Sequence, residues 1–286
     1  MTRVALFGRT GFIGSRVADH LKDGSIPFTG ISTSTSGADT IKVDLSDLSS
    51  FKSIPGDVDC AIICSAKLPQ RSYGPGDIRE FIDANVQSVV NVLHWASQSS
   101  IRRIVYCSTL SMIPAHSEIN SESMLVDTRS HYPYKISKAM AEHLVAGFCS
   151  ERKIEFMILR IASVYGPGMK PDVIKTIIEA AINNGSFTLS NKNATADFVH
   201  VNDVAAAVVA SLSASPANRI ISVSSGIQLP LAELCKIVSP DLNIVIQSDT
   251  PVSTRVHSDK EFRKLIGREP KNIRDGMREM INYYRT

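Results

Sequence analysis

A chain of 286 residues is long enough for one large α/β domain with an elaboration, or for two domains. Its hydrophobic content of 43% and charged content of 21% are typical of a globular protein, and a net charge of +3 without a basic run between aromatic residues argues against nucleic acid as a partner. The apolar runs fall short of the roughly 18 residues that a membrane span needs, so we expect no membrane association.

The cysteines point to a reducing compartment. There are five, an odd number, and most of them lie within apolar runs, as small buried hydrophobic residues do. No His pair accompanies Cys60 and Cys64, so we expect no metal site. The N-terminus shows no basic segment followed by an apolar core. We therefore expect a cytoplasmic protein without a signal peptide.

The first predicted element is a buried strand that runs directly into a glycine-rich turn and a helix. Four consecutive apolar residues, 4–7, predict the strand, and the helical spacing of apolar residues after the turn ends near Gly24. Gly8 permits a tight turn, and Gly14 lets the helix pack against the strand. Because a helix N-terminus carries partial positive charge and unpaired N–H groups, it attracts a pyrophosphate. We expect a dinucleotide to be bound by Gly8, Arg9, Thr10, Gly11, Phe12, Ile13 and Gly14.

Strands and helices then alternate through residue 164, which predicts an α/β fold with a doubly wound parallel sheet. The predicted strands are 28–32, 41–45, 58–66, 103–109, 155–163, 187–189 and 219–223, and the predicted helices are 78–97, one from 133 onward, 171–184, 201–212 and 230–238. We expect a dinucleotide-binding domain formed by 1–164 plus 196–225, and a smaller substrate-binding cap formed by 165–195 plus 226–286.

The end of strand 28–32 is where such a fold selects between NAD and NADP. An acid there would bind the ribose hydroxyls and repel a 2′-phosphate, but the chain has Ser32 and Thr33, and no acid occurs before Asp39. Arg9, inside the glycine turn, is a candidate partner for the phosphate. The sequence therefore favours NADP, with NAD as the alternative.

Two further strand ends are expected to border the dinucleotide. Asp44 and Leu45 close strand 41–45, and the Asp44 carboxylate is a candidate acceptor for the adenine. Ala66 is the last residue of strand 58–66 and Lys67 follows it, which places both at the carboxyl end, where ligands collect in open α/β sheets.

A second group of candidate residues is formed by Thr109, at the end of a strand, and by Tyr134 and Lys138 four residues apart on a helix. With these motifs the chain resembles the extended short-chain dehydrogenase/reductase family, in particular its NAD(P)-dependent nucleotide-sugar epimerase, dehydratase and reductase group. The resemblance implies a Rossmann-type fold and extends over essentially the whole chain. The matching segments are 8–14, 44–45, 85–86, 106–109, 133–138, 159–168, 197–204, 222–226, 255–259 and 265–270.

The resemblance implies catalytic roles for Thr109, Tyr134 and Lys138. Tyr134 would be the general acid or base, Thr109 would hydrogen-bond the reacting oxygen, and Lys138 would also hold the nicotinamide ribose. A phenol titrates at about pH 10, too high for efficient proton transfer at neutrality. An ammonium about 4 Å away, at an effective dielectric of about 20, contributes roughly 4 kcal/mol, or about three pKa units. We therefore expect a lowered pKa for Tyr134.

The residues after Thr109 narrow the reaction. Dehydratases of the family carry an Asp-Glu pair there, whereas this chain has Leu110 and Ser111, so dehydration is not expected. The sequence favours NADPH-dependent reduction of a keto-sugar nucleotide, with a nucleoside-diphosphate 4-keto-6-deoxyhexose as the substrate. An NAD-dependent nucleotide-sugar epimerase, a reductase of a small aldehyde or ketone, and a non-catalytic NADP-binding sensor or scaffold stay open.

The resemblance also implies residues at the substrate end and an oligomeric state. Arg255 matches an arginine that grips the substrate diphosphate, while Ala196 stands where a second such arginine is frequent. Ser163 and Val164 precede the Tyr-Gly-Pro-Gly break and border the cofactor, Ser163 replacing a common Asn. The apolar stripe of helix 78–97 is either core or a dimer seam, and we expect a homodimer.

Overall fold

A seven-stranded parallel sheet forms the centre of the protein, and its strand order is β11-β6-β5-β4-β1-β2-β3. The computed structural model describes residues 2–68, 75–113, 122–123, 133–170, 172–183, 185–252 and 256–285. The chain reverses its direction of strand addition between β1 and β4, which makes the carboxyl ends of these two strands a ligand-binding crevice. The strands are β1 (Val4–Phe7), β2 (Phe28–Ser32), β3 (Thr40–Lys42), β4 (Cys60–Ile63), β5 (Arg103–Thr109), β6 (Glu155–Ile161) and β11 (Arg219–Val223).

Helices cover both faces of this sheet, and three two-stranded pairs lie beyond it. The helices are α1 (Phe12–Asp23), α2 (Pro75–Ile82), α3 (Ser88–Ala96), α4 (Pro133–Arg152), α5 (Val173–Ile182), α6 (Val201–Ala210), α7 (Leu231–Val238), α8 (Lys260–Ile266) and α9 (Ile273–Arg285). The paired strands are β7 (Ser163–Tyr165) with β10 (Phe198–His200), β8 (Ser186–Leu189) with β13 (Asn243–Ile246), and β9 (Thr195–Ala196) with β12 (Leu229–Pro230). The doubly wound α/β prediction is confirmed.

The predicted single helix 78–97 is interrupted. A π-helical turn, Asp83–Gln87, separates α2 from α3. The apolar stripe that follows packs into the core, with Val89 and Leu93 buried, and only Val90 lies outside at 37% exposure. The core alternative for this stripe is therefore confirmed.

Hydrophobic clusters on the two faces of the sheet hold the sheet and its helices together. One cluster joins the sheet to α3 and α4, and the other joins it to α1 and α6. A third cluster, built around Tyr165, Met169 and Met280, lies mostly within the segments predicted to form the cap. Phe262 of α8 packs in the cluster that joins the sheet to α1 and α6, although the sequence predicts that 226–286 belongs to the cap. The division into two domains stays a prediction.

All five cysteines are free thiols. Within the described ranges, no helix combines the length and hydropathy that crossing a bilayer requires.

Candidate active site

The glycine turn between β1 and α1 is tight and leaves the helix N-terminus open. Gly8 has a φ of +85°, and a Cβ atom there would lie 2.6 Å from the backbone nitrogen of Ser65. Gly11 is the N-cap of α1, makes no side-chain cap, and is followed by no acidic residue in the first turn. The first N–H groups of α1 therefore have no side-chain acceptor, which suits a phosphate.

The other residues of this turn anchor it to the fold. Gly14 is buried, and a Cβ atom there would lie 2.0 Å from the carbonyl oxygen of Gly8. Ile13 packs on the cluster that joins the sheet to α1 and α6, whereas Phe12 packs on the third cluster, in the predicted cap. The turn thus lies where the sheet and the cap meet.

Arg9 is engaged in an ion pair at the edge of β2. Its Nε and Nη2 atoms each lie 3.2 Å from a carboxylate oxygen of Asp39, and the Lys22 ammonium lies 2.6 Å from the same carboxylate. Hydrogen bonds from Lys22, Thr40 and Arg9 hold the pKa of Asp39 well below its usual range. Arg9 was expected to meet a 2′-phosphate, and in this structure its charge is directed to Asp39 instead.

The end of β2 is organised by a buried hydroxyl. The Ser32 Oγ lies 2.9 Å from the Thr10 hydroxyl and accepts hydrogen bonds from the backbone N–H groups of Ser34 (3.2 Å) and Thr35 (3.4 Å). Thr33 is exposed immediately beyond it. The strand end therefore presents hydroxyls and no charge.

The predicted strand 41–45 is shorter than expected: β3 ends at Lys42, so Asp44 and Leu45 lie in the turn beyond the strand rather than at its end. The exposed Asp44 carboxylate accepts hydrogen bonds from the N–H (2.9 Å) and hydroxyl (2.7 Å) of Ser46, which lower its pKa. Leu45 is buried, and its carbonyl oxygen accepts a hydrogen bond of 2.8 Å from the Asn91 amide. The carboxylate faces solvent while the leucine anchors the turn, and the adenine contact stays a prediction.

Asn85 is a residue whose role the sequence did not indicate. Its buried amide accepts the Lys67 N–H (2.7 Å) and donates to the Lys67 carbonyl oxygen (3.1 Å) and to the Ser137 hydroxyl (3.0 Å). It thereby links the loop after β4, including the half-buried Ala66, to the start of α4. The Lys67 ammonium itself pairs with Glu80. The signal in the sequence that could have indicated this role is the position of the Asn85 amide within the apolar stripe of helix 78–97.

The three predicted catalytic residues converge at the carboxyl end of β5 and the first turns of α4. The Tyr134 phenol is hydrogen-bonded to the Thr109 hydroxyl, which also donates to the Ser111 Oγ at 3.0 Å. The Phe81 ring packs edge-on against Tyr134, with ring centroids 6.0 Å apart. The Lys138 ammonium donates to the Cys107 carbonyl oxygen at 2.7 Å, two residues before Thr109.

Burial decides the electrostatics of this group. It raises the pKa of Tyr134 to about 12, against a lowering contribution from the Thr109 hydrogen bond, and it lowers the pKa of Lys138 to about 8. The expected lowering of the Tyr134 pKa by Lys138 is therefore wrong in this structure, because desolvation outweighs any effect of an ammonium that is directed to Cys107. The phenol holds its proton at neutral pH.

A buried ion pair, Glu142 with Arg160, lies beyond Lys138 on α4. Glu142 follows Lys138 by one helical turn, and its carboxylate receives Arg160 Nε at 3.1 and 3.2 Å and Arg160 Nη2 at 2.7 Å. The Arg160 side chain is 0% exposed and the Glu142 side chain 1%. The Glu142 charge also raises the pKa of Lys138, opposing the effect of burial.

Two buried hydroxyl groups near the carboxyl ends of β4 and β5 have no hydrogen-bond partner in the part of the chain that the structure describes. They are Ser65 Oγ, after β4, and Ser108 Oγ, beside Thr109 on β5. A buried hydroxyl without a partner is costly unless a ligand or water satisfies it. Together with the uncapped N-terminus of α1, these hydroxyls fit a bound dinucleotide.

Ser163 and Val164 begin β7. Ser163 is exposed, its N–H donates to the Asp197 carbonyl oxygen at 3.0 Å, and Val164 is half-buried beside it. Arg255 lies outside the described residues. The two residues after Thr109 are a buried leucine, Leu110, and an exposed serine, Ser111, so neither supplies a carboxylate.

A doubly wound sheet with an open phosphate-binding turn, and a Tyr-x-x-x-Lys pair beside a strand-end threonine, define a dinucleotide-dependent enzyme of the extended short-chain dehydrogenase/reductase type. The chain belongs to the NAD dependent epimerase/dehydratase family, whose sequence profile matches residues 4–224. The predicted family is thereby confirmed.

Among the known proteins similar to this chain are two UDP-glucose 4-epimerases, one of them putative, that match more than nine-tenths of it. It is 25% identical to a putative UDP-glucose 4-epimerase of Methanocaldococcus jannaschii, over 99% of this chain and 98% of the relative. It is 22% identical to the UDP-glucose 4-epimerase of Vibrio cholerae, over 93% of this chain and 82% of the relative.

Solved structures share the fold. A Bacillus cereus UDP-glucuronic acid 4-epimerase, solved with a substrate analogue and NAD, matches with a TM-score of 0.85 at 20% identity, over 99% of each chain. The Thermus thermophilus UDP-glucose 4-epimerase, solved with NAD, matches with a TM-score of 0.79 at 20% identity, again over 99% of each chain.

Proposed function

We propose that the protein is an NAD-dependent nucleotide-sugar 4-epimerase. The observation that carries the proposal is the convergence of Thr109, Tyr134 and Lys138 without a carboxylate at positions 110 and 111. This set supports hydride transfer at a sugar carbon and lacks the extra acid and base that elimination of water needs. Two observations favour epimerisation over the reduction expected from the sequence. The relatives that match more than nine-tenths of this chain include proteins named as UDP-glucose 4-epimerases, and similar solved epimerases contain NAD.

The chain's own residues supply the proton chemistry. The bound dinucleotide supplies the hydride acceptor and a positive charge. Tyr134 would accept the proton of the sugar hydroxyl as that group is oxidised to a ketone, and would return the proton as the ketone is reduced from its opposite face. Thr109 orients the same oxygen by hydrogen bonding. Since the pKa of Tyr134 is about 12 here, it has to fall in the complex for this first step.

The second candidate is the NADPH-dependent reduction of a 4-keto-6-deoxyhexose nucleotide. A protonated phenol is the form that a general acid needs, and the raised pKa of Tyr134 supports this direction. The end of β2 also carries hydroxyl groups and no acid that would repel a 2′-phosphate.

The test combines cofactor release with product analysis. The purified protein is denatured and the released dinucleotide identified, and fresh enzyme is then incubated with UDP-glucose, UDP-glucuronic acid or a 4-keto-6-deoxyhexose nucleotide. We expect retained NAD and interconversion of 4-epimers with no net change in nicotinamide absorbance. Stoichiometric NADPH oxidation by the keto-sugar nucleotide would establish the keto-sugar reductase. Stoichiometric NADPH oxidation by a small aldehyde would establish a reductase of small aldehydes or ketones. Dinucleotide binding without turnover of any substrate would establish a sensor or scaffold.

We also retain the homodimer as a proposal. Three exposed apolar residues, Ile136, Met140 and Leu144, follow one another at four-residue spacing along α4, and a two-fold axis would set this stripe against its own copy.

A charged residue at the centre of the stripe tests the dimer. We expect Met140→Asp to produce a monomer in sedimentation-velocity runs, because an unpaired carboxylate would be buried at the interface. Val252→Asp, at a 44% exposed position elsewhere, is the matched control and should leave the dimer intact. A monomeric wild-type protein would contradict the proposal.

A further inference from the structure

A charged cluster lies beside the middle of β2, below the strand end that faces the dinucleotide. It consists of Arg9 from the glycine turn, Lys22 from the last turn of α1, and Asp39 from the loop before β3. The Asp39 carboxylate receives both cations, and the Thr40 hydroxyl donates to it at 2.7 Å. The side chains of Arg9 and Asp39 are 19% and 28% exposed, so their pair is only partly screened by water.

The backbone is shaped to hold Arg9 in this position. A Cβ atom on Gly30 would lie 2.5 Å from Arg9 Cγ and 2.8 Å from the carbonyl oxygen of Asp39. The Gly30 N–H donates to that same carbonyl oxygen at 2.7 Å. A short bridge between Gly37 and Thr40 closes the loop that presents Asp39. Because Gly30 has no side chain, the aliphatic part of Arg9 can pack against β2 and reach Asp39.

Arg9 starts near the place where a 2′-phosphate would have to be neutralised. Its backbone N–H donates to the carbonyl oxygen of Ile31, one residue before the end of β2, and the neighbouring Thr10 hydroxyl meets Ser32. The side chain then passes over Gly30, and its guanidinium makes both of its hydrogen bonds to Asp39 within the described contacts. The strand end keeps hydroxyl groups that suit a ribose, while the nearby cation is bound elsewhere.

We propose that Asp39 is a specificity-determining residue for the cofactor, and that it favours NAD over NADP by holding the Arg9 guanidinium away from the end of β2. The inference rests on the proposed function in assuming that this crevice binds a dinucleotide. Asp39 acts through Arg9 rather than by hydrogen bonding the ribose, so it is a positioning residue, and its effect depends on the presence of the arginine.

The dependence on Arg9 gives a four-variant test. Dissociation constants of NADH and NADPH are measured by nicotinamide fluorescence for the wild type, Asp39→Asn, Arg9→Ala and the double variant. We expect the wild type to prefer NADH. Asp39→Asn keeps the side-chain shape but frees a cation for charge-assisted binding of the phosphate, so NADPH affinity should rise roughly tenfold or more while NADH affinity changes little. The double variant should lose this gain.

Two controls separate the mechanism from a general charge effect. Asp23→Asn removes an exposed carboxylate at the end of α1 and should leave the NADPH/NADH ratio within about twofold of the wild type. Arg9→Ala alone should also leave the ratio nearly unchanged, because the guanidinium is already withheld. Unfolding midpoints of all variants show that the ratios refer to folded protein.

The outcomes are distinguishable from those of the epimerase test. A wild type that prefers NADPH, an unchanged ratio in Asp39→Asn, or a gain that persists without Arg9 would each overturn the inference. Failure to epimerise any nucleotide sugar would overturn the proposed function, whereas the dissociation constants would still decide the role of Asp39. A protein that binds neither dinucleotide would overturn both.

Discussion

Tyr134→Phe should lower turnover by about 10²–10⁴-fold, the usual contribution of a positioned acid or base. The substitution removes one oxygen from a 9% exposed residue whose ring packs against Phe81, so the fold and the dinucleotide crevice should survive. Initial rates and the dissociation constant of NADH are to be measured on the same preparation. We expect the rate to collapse while affinity stays within about twofold, because the phenolic proton matters in the transition state rather than in cofactor binding.

Tyr165→Phe is the matched control for this experiment. Tyr165 is a fully buried tyrosine in the cap, and its hydroxyl has no hydrogen-bond partner among the described residues. Removal of such a hydroxyl should leave activity and stability nearly unchanged, or stabilise the protein slightly. If Tyr134→Phe retained wild-type turnover, or if both variants lost activity equally, Tyr134 would not be the proton-transfer residue.

Glu142→Gln should lower the free energy of unfolding by about 3–5 kcal/mol, the cost typical of breaking a buried ion pair from one side. The Arg160 guanidinium has no exposed surface, and three of its close contacts are to the Glu142 carboxylate. The neutral amide would remove the negative charge that faces this buried cation at three close contacts. Urea unfolding monitored by circular dichroism measures the loss, since a change in midpoint at constant slope reports stability.

Glu155→Gln provides the comparison. Glu155 pairs with Arg103 across two neighbouring strands, but its side chain is 52% exposed, and Arg103 also donates to the carbonyl oxygens of Ser211 and Ala214 at 2.9 Å. Solvent screening limits such a pair to about 1 kcal/mol or less. Equal losses for the two variants would show that the Glu142–Arg160 pair contributes no more than a surface contact.

Local patterns predicted the elements of the sheet well. Strands 28–32, 103–109 and 219–223 have the observed bounds, and the first helix ends at Asp23, beside the expected Gly24. These segments are bounded by turn residues and carry apolar patterns that are unambiguous within one element.

Elements whose limits depend on distant partners were predicted less well. Strand 155–163 is divided at Ala162, because the Ala162 N–H binds Val223 of the central sheet while the Ser163 N–H binds Asp197 in another layer. Helix 78–97 contains a π-helical turn that turns Asn85 inward. β13, α8 and α9 were not predicted at all, since they gain their stability from packing in the cap and against α6.

The sequence by itself determined the glycine turn, the alternation of strands and helices, and the placement of Tyr134 and Lys138 one helical turn apart on α4, because each depends on local residue spacing. Only the tertiary structure decided that Arg9 meets Asp39 and that burial sets the pKa of Tyr134 and Lys138. Ion pairing and desolvation depend on which segments pack together, and spacing along the chain does not contain that information.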